Sequence, residues 1–382
     1  MATVLILGGG IGGLVAAKRL RRALPTPHRV VVVERETSFV FAPSLTWLMT
    51  GDRTERGISR PLGRLVPGGV EMVRGEIEHI DPERRRVTVS GTAHEGDHLI
   101  IALGAELAPE QVPGLAGAGF NLYTAAGAGQ LRDALTRFEG GRIVVLTAAP
   151  AYKCPAAPYE AALLLEAHLR RRGLRDRAEI ALYAAEAEPM ATAGPEVARG
   201  VRRMVESKAI AYHPEHQIVS ADGAERVLRF ANGTTTGYDL LAFVPPHRAP
   251  GVVRVSGLAP EGGWMATERS TLRTSHDRVH AIGDVTTIPL ASGRPLPKAG
   301  VFAHRQAEVV AHNIAREILG RGRPRTFDGA GECFIEVGDG RAGVGRGDFY
   351  AEPAPRVGLH APARRWHLAK VMIEKAWLLG WY

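Results

Sequence analysis

The sequence predicts an α/β protein with two Rossmann-like domains, followed by a C-terminal extension that ends in an amphipathic helix. Three observations predict this fold. An apolar strand runs into a glycine-rich loop near the N-terminus, and a second strand-to-helix unit begins at Arg142. Residues 364–382 combine basic and aromatic side chains in one helical segment. A chain of 382 residues is long enough for two or three packed domains.

The composition is that of a globular protein, with 45% hydrophobic and 23% charged residues. A formal net charge of +8 fits a solvated basic surface, an anionic cofactor or substrate, or an anionic membrane face. No helix-turn-helix, zinc knuckle or aromatic-basic platform stands out, so we expect no nucleic-acid partner. The two cysteines, Cys154 and Cys333, form neither a disulfide framework nor a CxxC site, and we expect no metal.

The first unit has the pattern of a dinucleotide-binding fold. An apolar strand over Thr3–Leu7 leads into a G-x-G-x-x-G loop made by Gly8, Gly10 and Gly13, and a helix follows. The next strand, RVVVVE, ends in Glu34. The glycines let the backbone approach a pyrophosphate at the helix N-terminus, and the acid can accept hydrogen bonds from ribose hydroxyls.

The other elements follow in chain order. We predict antiparallel strands over 70–81 and 84–90, a buried strand ending at Gly104, a helix over 127–138, a strand over 142–147, a helix to about Arg172 capped by Gly173, elements over 179–183, 195–207 and 240–244, a short strand before Asp284, a helix over 299–319, strands over 332–337 and 343–349, and a helix over 364–382.

The second strand-to-helix unit lacks a phosphate loop. No glycine lies between Gly141 and Gly173, and Cys154 stands near the turn. One unit is therefore fit for a dinucleotide, while the other carries a thiol in its place. This contrast suggests a flavoprotein that takes electrons from a sulfur substrate rather than from NADH.

These segments resemble a known family. The order GGGIGG, VVVVE, HLIIALG and AIGD resembles the two-dinucleotide-binding-domain flavoproteins related to glutathione reductase. Within them, FAPSLTWLMTG, YKCPAAPYE, LPKAGVFAHRQAEVVAHNI, the late Cys333 and WHLAKVMIEKAWLL are similar to sulfide:quinone oxidoreductases. The flavin subunit of flavocytochrome c sulfide dehydrogenase is a close relative of that group. The resemblance covers nearly the whole chain.

The resemblance implies that the chain binds FAD. The residues implied at the cofactor are Gly8, Gly10, Gly13, Glu34, Pro43, Ser44, Ile77, Leu103, Gly104, Gly283, Asp284 and Lys298. Among them, Asp284 would bind the ribityl chain, and Lys298 would stabilise the reduced flavin. Flavocytochrome-type relatives carry a cysteine near Pro43 that links FAD covalently. This chain has none there, so we expect FAD to be held non-covalently.

The resemblance also implies a reaction. Cys154 and Cys333 would form a redox pair, and hydrosulfide would open their disulfide by thiol–disulfide exchange, leaving a persulfide on one cysteine. Glu160 would transfer protons. Lys370 and Ile373 match positions of the quinone site, although the family has an aromatic residue where this chain has Ile373. From the residues alone, two buried and inert thiols remain an alternative.

The terminal helix carries a mixed face. Trp366, Ala369, Ile373, Ala376 and Trp377 fall near one face, and four basic residues add positive charge. This pattern is typical of a helix that lies in a membrane surface, although packing on the core or on a dimer partner is an alternative.

We see no signal peptide and no stretch that could span a bilayer, and we expect a peripheral, monotopic membrane protein, with the cytoplasmic face favoured. A homo-oligomer is possible.

Three domains are predicted. Residues 1–108 and 264–322 would form the FAD-binding domain, 109–263 the second Rossmann-like domain, and 323–382 the extension with the second cysteine. The leading function is sulfide oxidation to sulfane sulfur or polysulfide with a membrane quinone as electron acceptor. The alternatives are a flavocytochrome-type sulfide dehydrogenase, a type II NADH:quinone oxidoreductase, and a flavin-binding scaffold without turnover.

Overall fold

The computed structural model describes residues 1–382, and its first sheet is parallel throughout. The strands lie in the order Val279–Ala281, His98–Ile101, Thr3–Leu7, Arg29–Glu34 and Glu71–Arg74. Helices Ile11–Ala23 and Gly300–Leu319 pack against each other beside it. The central strands are buried on both faces, as their unbroken apolar runs require. The Rossmann-like fold predicted for the N-terminal unit is confirmed.

The prediction of one continuous strand over 70–81 is wrong. The chain turns at Gly75, and Glu71–Arg74 pairs in parallel with Arg29–Glu34 in the first sheet. Only the part after the turn is antiparallel, where Ile77–Asp81, Arg86–Val89 and Thr92–Glu95 form a separate three-stranded sheet. Alternation alone did not reveal that the two halves join different sheets.

The second parallel sheet confirms the second Rossmann-like unit. Its strands lie in the order Phe120–Asn121, Leu240–Val244, Gly141–Thr147, Ala178–Ala184 and Ala211–His213. Its helices are Ala125–Arg137, Ala157–Arg171 and Pro195–Glu206, and a small antiparallel sheet comprises Ile218–Asp222, Val227–Phe230 and Thr235–Gly237. The chain passes from the first unit to the second near Glu106–Leu107 and returns near His247–Arg248. These two short strands pair antiparallel with each other. The domain boundaries given above stay a prediction.

Shorter elements complete the two units. They are the strand pairs Ser38–Val40 with Ser59–Pro61 and Met265–Ala266 with Thr286–Thr287, and the short helices Leu45–Met49, Glu55–Ile58, Leu62–Leu65, Leu115–Ala118 and Gly251–Val255.

The extension forms an antiparallel sheet with one strand more than predicted. Its strands are Ala330–Gly338, Arg341–Asp348 and Arg356–Ala363, in that order. The sequence RVGLHAPA of the third strand contains glycine and proline, which are depleted in strands, so its pattern gave no clear signal. The terminal helix follows directly and covers Arg364–Leu378, ending before the predicted residue 382.

The face predicted for the terminal helix is partly wrong, because Trp377 points inward. Its ring stacks on Tyr382 at 4.2 Å and on Phe39 at 5.8 Å between ring centroids, and the residue is 6% exposed. A different stripe faces outward. It consists of Arg365, Leu368, Met372, Lys375 and Leu379, with Ile373 beside it.

We expect Trp377→Ala to lower the free energy of unfolding by about 3–5 kcal/mol, because it removes a large buried aromatic side chain. Trp381, four residues later and 76% exposed, is the matched control, and Trp381→Ala should change that free energy by no more than about 0.5 kcal/mol. Urea unfolding followed by circular dichroism measures both. Equal effects of the two substitutions would contradict the inward position of Trp377.

Candidate functional site: a thiol pair beside a dinucleotide cleft

The glycine-rich loop is a cradle at the start of the first helix. Gly8 and Gly13 are required by the protein itself. A Cβ at Gly8 would lie 2.5 Å from the Ala102 carbonyl oxygen, and one at Gly13 would lie 1.8 Å from the Gly8 carbonyl oxygen. Gly10 differs, since its φ is negative and no atom lies within 4 Å of where a Cβ would stand. The open space at Gly10 therefore fits a bound pyrophosphate at the helix N-terminus.

Glu34 lies against this loop. Its carboxylate accepts hydrogen bonds from the backbone N–H of Gly9 at 2.6 Å and from that of Glu36 at 2.9 Å. The end of the strand Arg29–Glu34 thus places an acid at the cradle, where the sequence predicts a ribose contact.

Asp284 has an unfilled buried acceptor. Its Oδ1 atom is buried and has no hydrogen-bond partner. Burial raises the pKa of the Asp284 carboxyl, while the positive charges of Lys153 and Lys298 act in the opposite direction. The preceding residue, Gly283, donates its N–H to Gln306 Oε1 at 2.7 Å. A hydroxyl donor on a bound cofactor, such as a ribityl chain, would satisfy this oxygen.

Lys298 is held beside Asp284 by backbone and ring contacts. Its Nζ atom donates to the carbonyl oxygens of Asp284 at 2.8 Å and Thr286 at 2.9 Å, and it lies 3.4 Å from the Trp264 ring centroid. Burial lowers the pKa of Lys298 to about 8, although Asp284 opposes the shift. Trp264 was not singled out in the sequence, because nothing local marks its contact with a residue 34 positions away.

The remaining residues predicted at the cofactor lie on several different elements. Pro43 is half-buried in the turn Ala42–Ser44, Ile77 begins a strand and is buried, and Leu103 and Gly104 follow the central strand His98–Ile101. Ser44 is fully buried, and its hydroxyl donates to Glu374 of the terminal helix at 2.7 Å. The Ser44 side chain therefore anchors that helix, so only its backbone is free to meet a cofactor.

The two cysteines meet, although they are far apart in the sequence. The side chains of Cys154 and Cys333 lie close enough for each thiol to shift the pKa of the other, and both are free thiols. Cys333 Sγ donates a hydrogen bond to the Phe334 carbonyl oxygen at 3.7 Å. Cys154 has φ +50°, an uncommon conformation for a residue with a side chain, and its N–H donates to the Lys298 carbonyl oxygen at 2.7 Å. This bond ties the thiol pair to the segment that contains Lys298.

The thiols differ in acidity. The neighbouring Cys333 thiol lowers the pKa of Cys154, and the neighbouring Cys154 thiol together with burial raises the pKa of Cys333 well above its ordinary value. The negative charge of Glu160 raises the pKa values of both thiols, and the positive charge of Lys370 lowers them. The partner thiol is the largest cause of the lowered Cys154 pKa, and the backbone N–H of Ala157, the first residue of the following helix, lowers this pKa further.

Glu160 lies in the first turn of that helix and is buried. It accepts hydrogen bonds from the Thr46 hydroxyl, from Lys370 Nζ at 2.7 Å and from the backbone N–H of Glu336 at 3.1 Å. Lys370 is equally buried and lies 4.4 Å from the Trp47 ring centroid. The structure thus brings Glu160 and Lys370 together at the thiols. Thr46, Trp47 and Glu336 join them only through tertiary packing, and the sequence gave no signal for them.

The two residues predicted for a quinone site do not share one cavity. Lys370 faces inward, whereas Ile373 lines an outer groove of about 280 Å³ between the terminal helix and the C-terminal sheet. The groove is lined by Glu332, Phe334, Val344, Arg346, His360, Trp366, Ala369, Met372 and Ile373. The indole Nε1 of Trp366 is buried and has no hydrogen-bond partner. Six of the nine residues that line the groove are apolar, and the other three are Glu332, Arg346 and His360.

The second parallel sheet has an occupied acidic position. Glu186 follows the strand Ala178–Ala184 as the corresponding acid follows its strand in the first unit. Its carboxylate accepts hydrogen bonds from Tyr152 at 2.5 Å, Thr147 at 2.8 Å and Tyr159 at 2.9 Å. The residues that would receive a second nucleotide ribose are therefore satisfied within the chain. The sequence predicted the missing loop but not this closure.

Fold and site together define a two-dinucleotide-fold oxidoreductase with a thiol pair. The chain belongs to the pyridine nucleotide-disulphide oxidoreductase family, whose model matches residues 2–307. It is 27% identical to the sulfide-quinone reductase of Aquifex aeolicus, covering 98% of this chain and 90% of that protein. It is 26% identical to the mitochondrial sulfide:quinone oxidoreductase of Mus musculus, covering 92% of this chain and 79% of that protein.

A solved structure agrees with the sequence comparisons. The sulfide:quinone oxidoreductase of Aquifex aeolicus superposes with a TM-score of 0.88 at 26% identity, covering 100% of this chain and 92% of that chain. The resemblance stated from the sequence motifs is thus confirmed.

We expect Cys154 to be alkylated faster than Cys333 in the reduced protein. The thiolate is the reactive form, and the lowered pKa of Cys154 gives it the larger thiolate fraction at pH below the ordinary thiol pKa. Limited iodoacetamide treatment at pH 7 and peptide mass spectrometry measure the ratio of the two products. Preferential labelling of Cys333 would contradict the acidity order.

Proposed function

We propose that this chain is an FAD-dependent sulfide:quinone oxidoreductase. The observation that carries the proposal is the proximity of the Cys154 and Cys333 thiols, together with the hydrogen bond from the Cys154 N–H to the segment that holds Lys298 beside Asp284. The pair therefore adjoins the cleft that fits a flavin dinucleotide. Two relatives of this chain are named sulfide-quinone reductase and sulfide:quinone oxidoreductase. Both names agree with a pair of thiols that reacts with sulfide at this position.

The cofactor residues have separable tasks. Gly8, Gly10 and Gly13 leave room for the pyrophosphate, and Glu34 meets a ribose. The unpartnered oxygen of Asp284 accepts from the ribityl chain. FAD bound in this cleft supplies a two-electron acceptor next to the thiols. The two cysteines of the chain are at positions 154 and 333, and none lies near Pro43, where some relatives link FAD covalently. FAD is therefore held without a covalent bond at that position.

The thiol pair handles the sulfur. In the oxidised pair, hydrosulfide forms a new S–S bond to one cysteine, the disulfide breaks, and the other cysteine leaves as a thiolate. A thiol of lower pKa is the better leaving group, which favours departure of Cys154 and a persulfide on Cys333. Glu160 acts electrostatically on both thiols and is the side chain that would exchange protons with them.

NADH is a poor fit as the electron donor. The second unit has no glycine between Gly141 and Gly173, and Tyr152 and Tyr159 occupy the acid at Glu186. Binding NADH there would require breaking these hydrogen bonds within a packed region. This argues against the type II NADH:quinone oxidoreductase alternative.

The outer groove and the exposed stripe of the terminal helix fit a quinone acceptor at a membrane surface. No helix of the structure is long and apolar enough to cross a bilayer. Leu368, Met372 and Leu379 project outward beside Arg365 and Lys375, as in helices that lie in the membrane interface. The groove beside them offers mainly apolar walls to a quinone ring. A soluble cytochrome partner would not need this apolar stripe. The membrane face and any homo-oligomer stay predictions.

We expect the triple substitution of Leu368, Met372 and Leu379 by serine to weaken binding to anionic phosphatidylglycerol vesicles at least about tenfold. Each apolar side chain removed from water contributes about 1.5–3 kcal/mol. Vesicle sedimentation measures the bound fraction.

Serine at Val219 and Val255, which are also exposed but lie outside the terminal helix, provides the matched control and should leave vesicle binding unchanged. Equal binding by the triple variant and the unchanged protein would exclude the stripe as the membrane contact.

The function is tested by anaerobic reduction of the purified flavoprotein. We expect sulfide to bleach the flavin absorbance, NADH to leave it unchanged, and a soluble quinone to restore it after sulfide. Cys154→Ser should abolish the response to sulfide while keeping the flavin, because the redox pair is broken but the cofactor cleft is not. Bleaching by NADH but not by sulfide would falsify the proposal in favour of an NADH dehydrogenase.

A further inference from the structure

A second cluster of polar side chains lies beside the thiol pair. Its centre is Tyr123, whose hydroxyl donates to the carbonyl oxygens of Lys153 at 2.7 Å and Cys154 at 3.2 Å. The Tyr123 ring meets the His247 ring edge-on at 5.3 Å between centroids, and Lys153 Nζ lies 5.9 Å from the Tyr123 ring centroid. Burial and the charges of Cys154 and Cys333 raise the pKa of Tyr123 well above its ordinary value. Tyr123, Lys153 and His247 thus form one cluster near both sulfur atoms.

Lys153 supplies this cluster with a cation that no carboxylate neutralises. Its side chain is half-buried, and its Nζ forms neither an ion pair nor a hydrogen bond. Burial lowers the pKa of Lys153, while the negative charges of Asp284 and Cys154 oppose this shift. Lys298 differs, because the carbonyl oxygens of Asp284 and Thr286 already accept hydrogen bonds from its Nζ. The Lys153 ammonium is therefore free to bind an anion beside the thiols.

His247 supplies the cluster with a hydrogen-bond acceptor. Its Nδ1 lies 2.9 Å from the Pro245 carbonyl oxygen, and because a carbonyl can only accept, this nitrogen carries the ring proton. The other ring nitrogen, Nε2, is buried and has no hydrogen-bond partner. Burial, together with the positive charges of Lys153 and Lys298, lowers the pKa of His247 to about 3, so the ring stays neutral. A buried acceptor in this state calls for a donor.

Hydrosulfide matches both groups. It carries one negative charge, which an ammonium attracts, and one S–H bond, which is a weak donor to a bare ring nitrogen. A halide ion has the charge without the donor, and a water molecule has the donor without the charge. The two groups together therefore favour a small anion that still carries a proton.

We propose that Lys153 and His247 bind the substrate hydrosulfide beside the thiol pair. The inference rests on the function proposed above and names the residues of its substrate site. Binding itself changes no covalent bond. In the exchange that follows, the hydrosulfide sulfur forms a new S–S bond to one cysteine, the disulfide breaks, and the other cysteine leaves as a thiolate. The S–H proton stays on the sulfur that came from hydrosulfide.

A different role for Lys153 is the alternative. Its charge acts on Asp284, and the charge of Cys154 acts on Lys153, so Lys153 could serve only to balance these two residues. The two roles differ in their effect on reagents that approach the thiols. A cation that attracts anions speeds a charged reagent more than a neutral one, whereas a change in the acidity of Cys154 alters both rates together.

Alkylation of the reduced holoprotein separates these roles. Iodoacetate is an anion, and iodoacetamide is a neutral reagent of the same shape. We expect Lys153→Met to lower the ratio of the Cys154 alkylation rates, iodoacetate over iodoacetamide, at least about fivefold, because the attracting charge is gone. Lys153→Arg should retain most of the ratio. Peptide mass spectrometry of samples taken over time measures both rates.

Stopped-flow reduction of the flavin over a range of sulfide concentrations gives the second measurement. We expect Lys153→Met to raise the half-saturating sulfide concentration at least about tenfold, and His247→Phe to raise it about threefold, since S–H is a weak donor. His247→Gln, which keeps an acceptor, should stay near the unchanged protein. The limiting rate should change less than about twofold in each variant. Flavin content checks that each variant is folded.

The matched controls are Lys208→Met and His213→Phe. Lys208 is also half-buried and lies 3.9 Å from Glu166. His213 is half-buried as well, stacks on Tyr183 at 4.3 Å between ring centroids, and belongs to the edge strand of the second parallel sheet. Both controls should keep the alkylation ratio and the half-saturating sulfide concentration of the unchanged protein.

Four results would overturn the proposed site. They are an unchanged alkylation ratio in Lys153→Met, an unchanged half-saturating sulfide concentration in either Lys153→Met or His247→Phe, a rate that rises with sulfide without saturating in the unchanged protein, and loss of flavin from both variants, since the cluster would then hold the cofactor. Failure of sulfide to bleach the unchanged protein, with the alkylation ratio as expected, would instead count against the proposed function itself.

Discussion

The ion pair between Glu160 and Lys370 is buried on both sides, and three separate parts of the chain meet at it. Glu160 comes from the helix after Cys154, Lys370 from the terminal helix, and the backbone of Glu336 from the strand that contains Cys333. Two charges removed from water are tolerated only with nearly complete hydrogen bonding, and loss of either partner is costly. This requirement fixes the relative positions of the parts that carry the two sulfur atoms.

The terminal helix is consequently packed into the candidate site. Its inner side supplies Lys370 and Glu374, and Glu374 is bound by Arg53 at 3.0 Å and by Ser44 at 2.7 Å. Its outer side carries the apolar stripe. One helix thereby connects the surface proposed to meet a membrane with the buried charges beside the thiols. Any shift of this helix on a membrane would move Lys370 and would thereby change the pKa values of the two thiols.

The sequence predicted those features that depend on local pattern. The loop with Gly8, Gly10 and Gly13 and the acid at Glu34 follow from one β–α–β unit, and both were placed correctly. The meeting of Cys154 and Cys333 followed from family motifs and not from spacing, which says nothing about residues 333 − 154 = 179 positions apart. The inward turn of Trp377 depends on partners such as Phe39, which no helical periodicity can supply. Likewise, the closure of Glu186 by tyrosines needs the folded sheet.

The thiol contact also has a consequence for the mechanics of the molecule. A covalent link between Cys154 and Cys333 closes a loop of 179 residues, from 333 − 154, and fastens the second Rossmann-like unit to the extension. In the chain-entropy description, such a crosslink raises the free energy of unfolding by about 5 kcal/mol, because it restricts the unfolded chain. The disulfide that reacts with sulfide would therefore also be a crosslink between two parts of the chain, and it would break and form again in each turnover. Rigidity in this protein would be a property of its redox state, and comparisons of melting behaviour are meaningful only at a defined reduction potential.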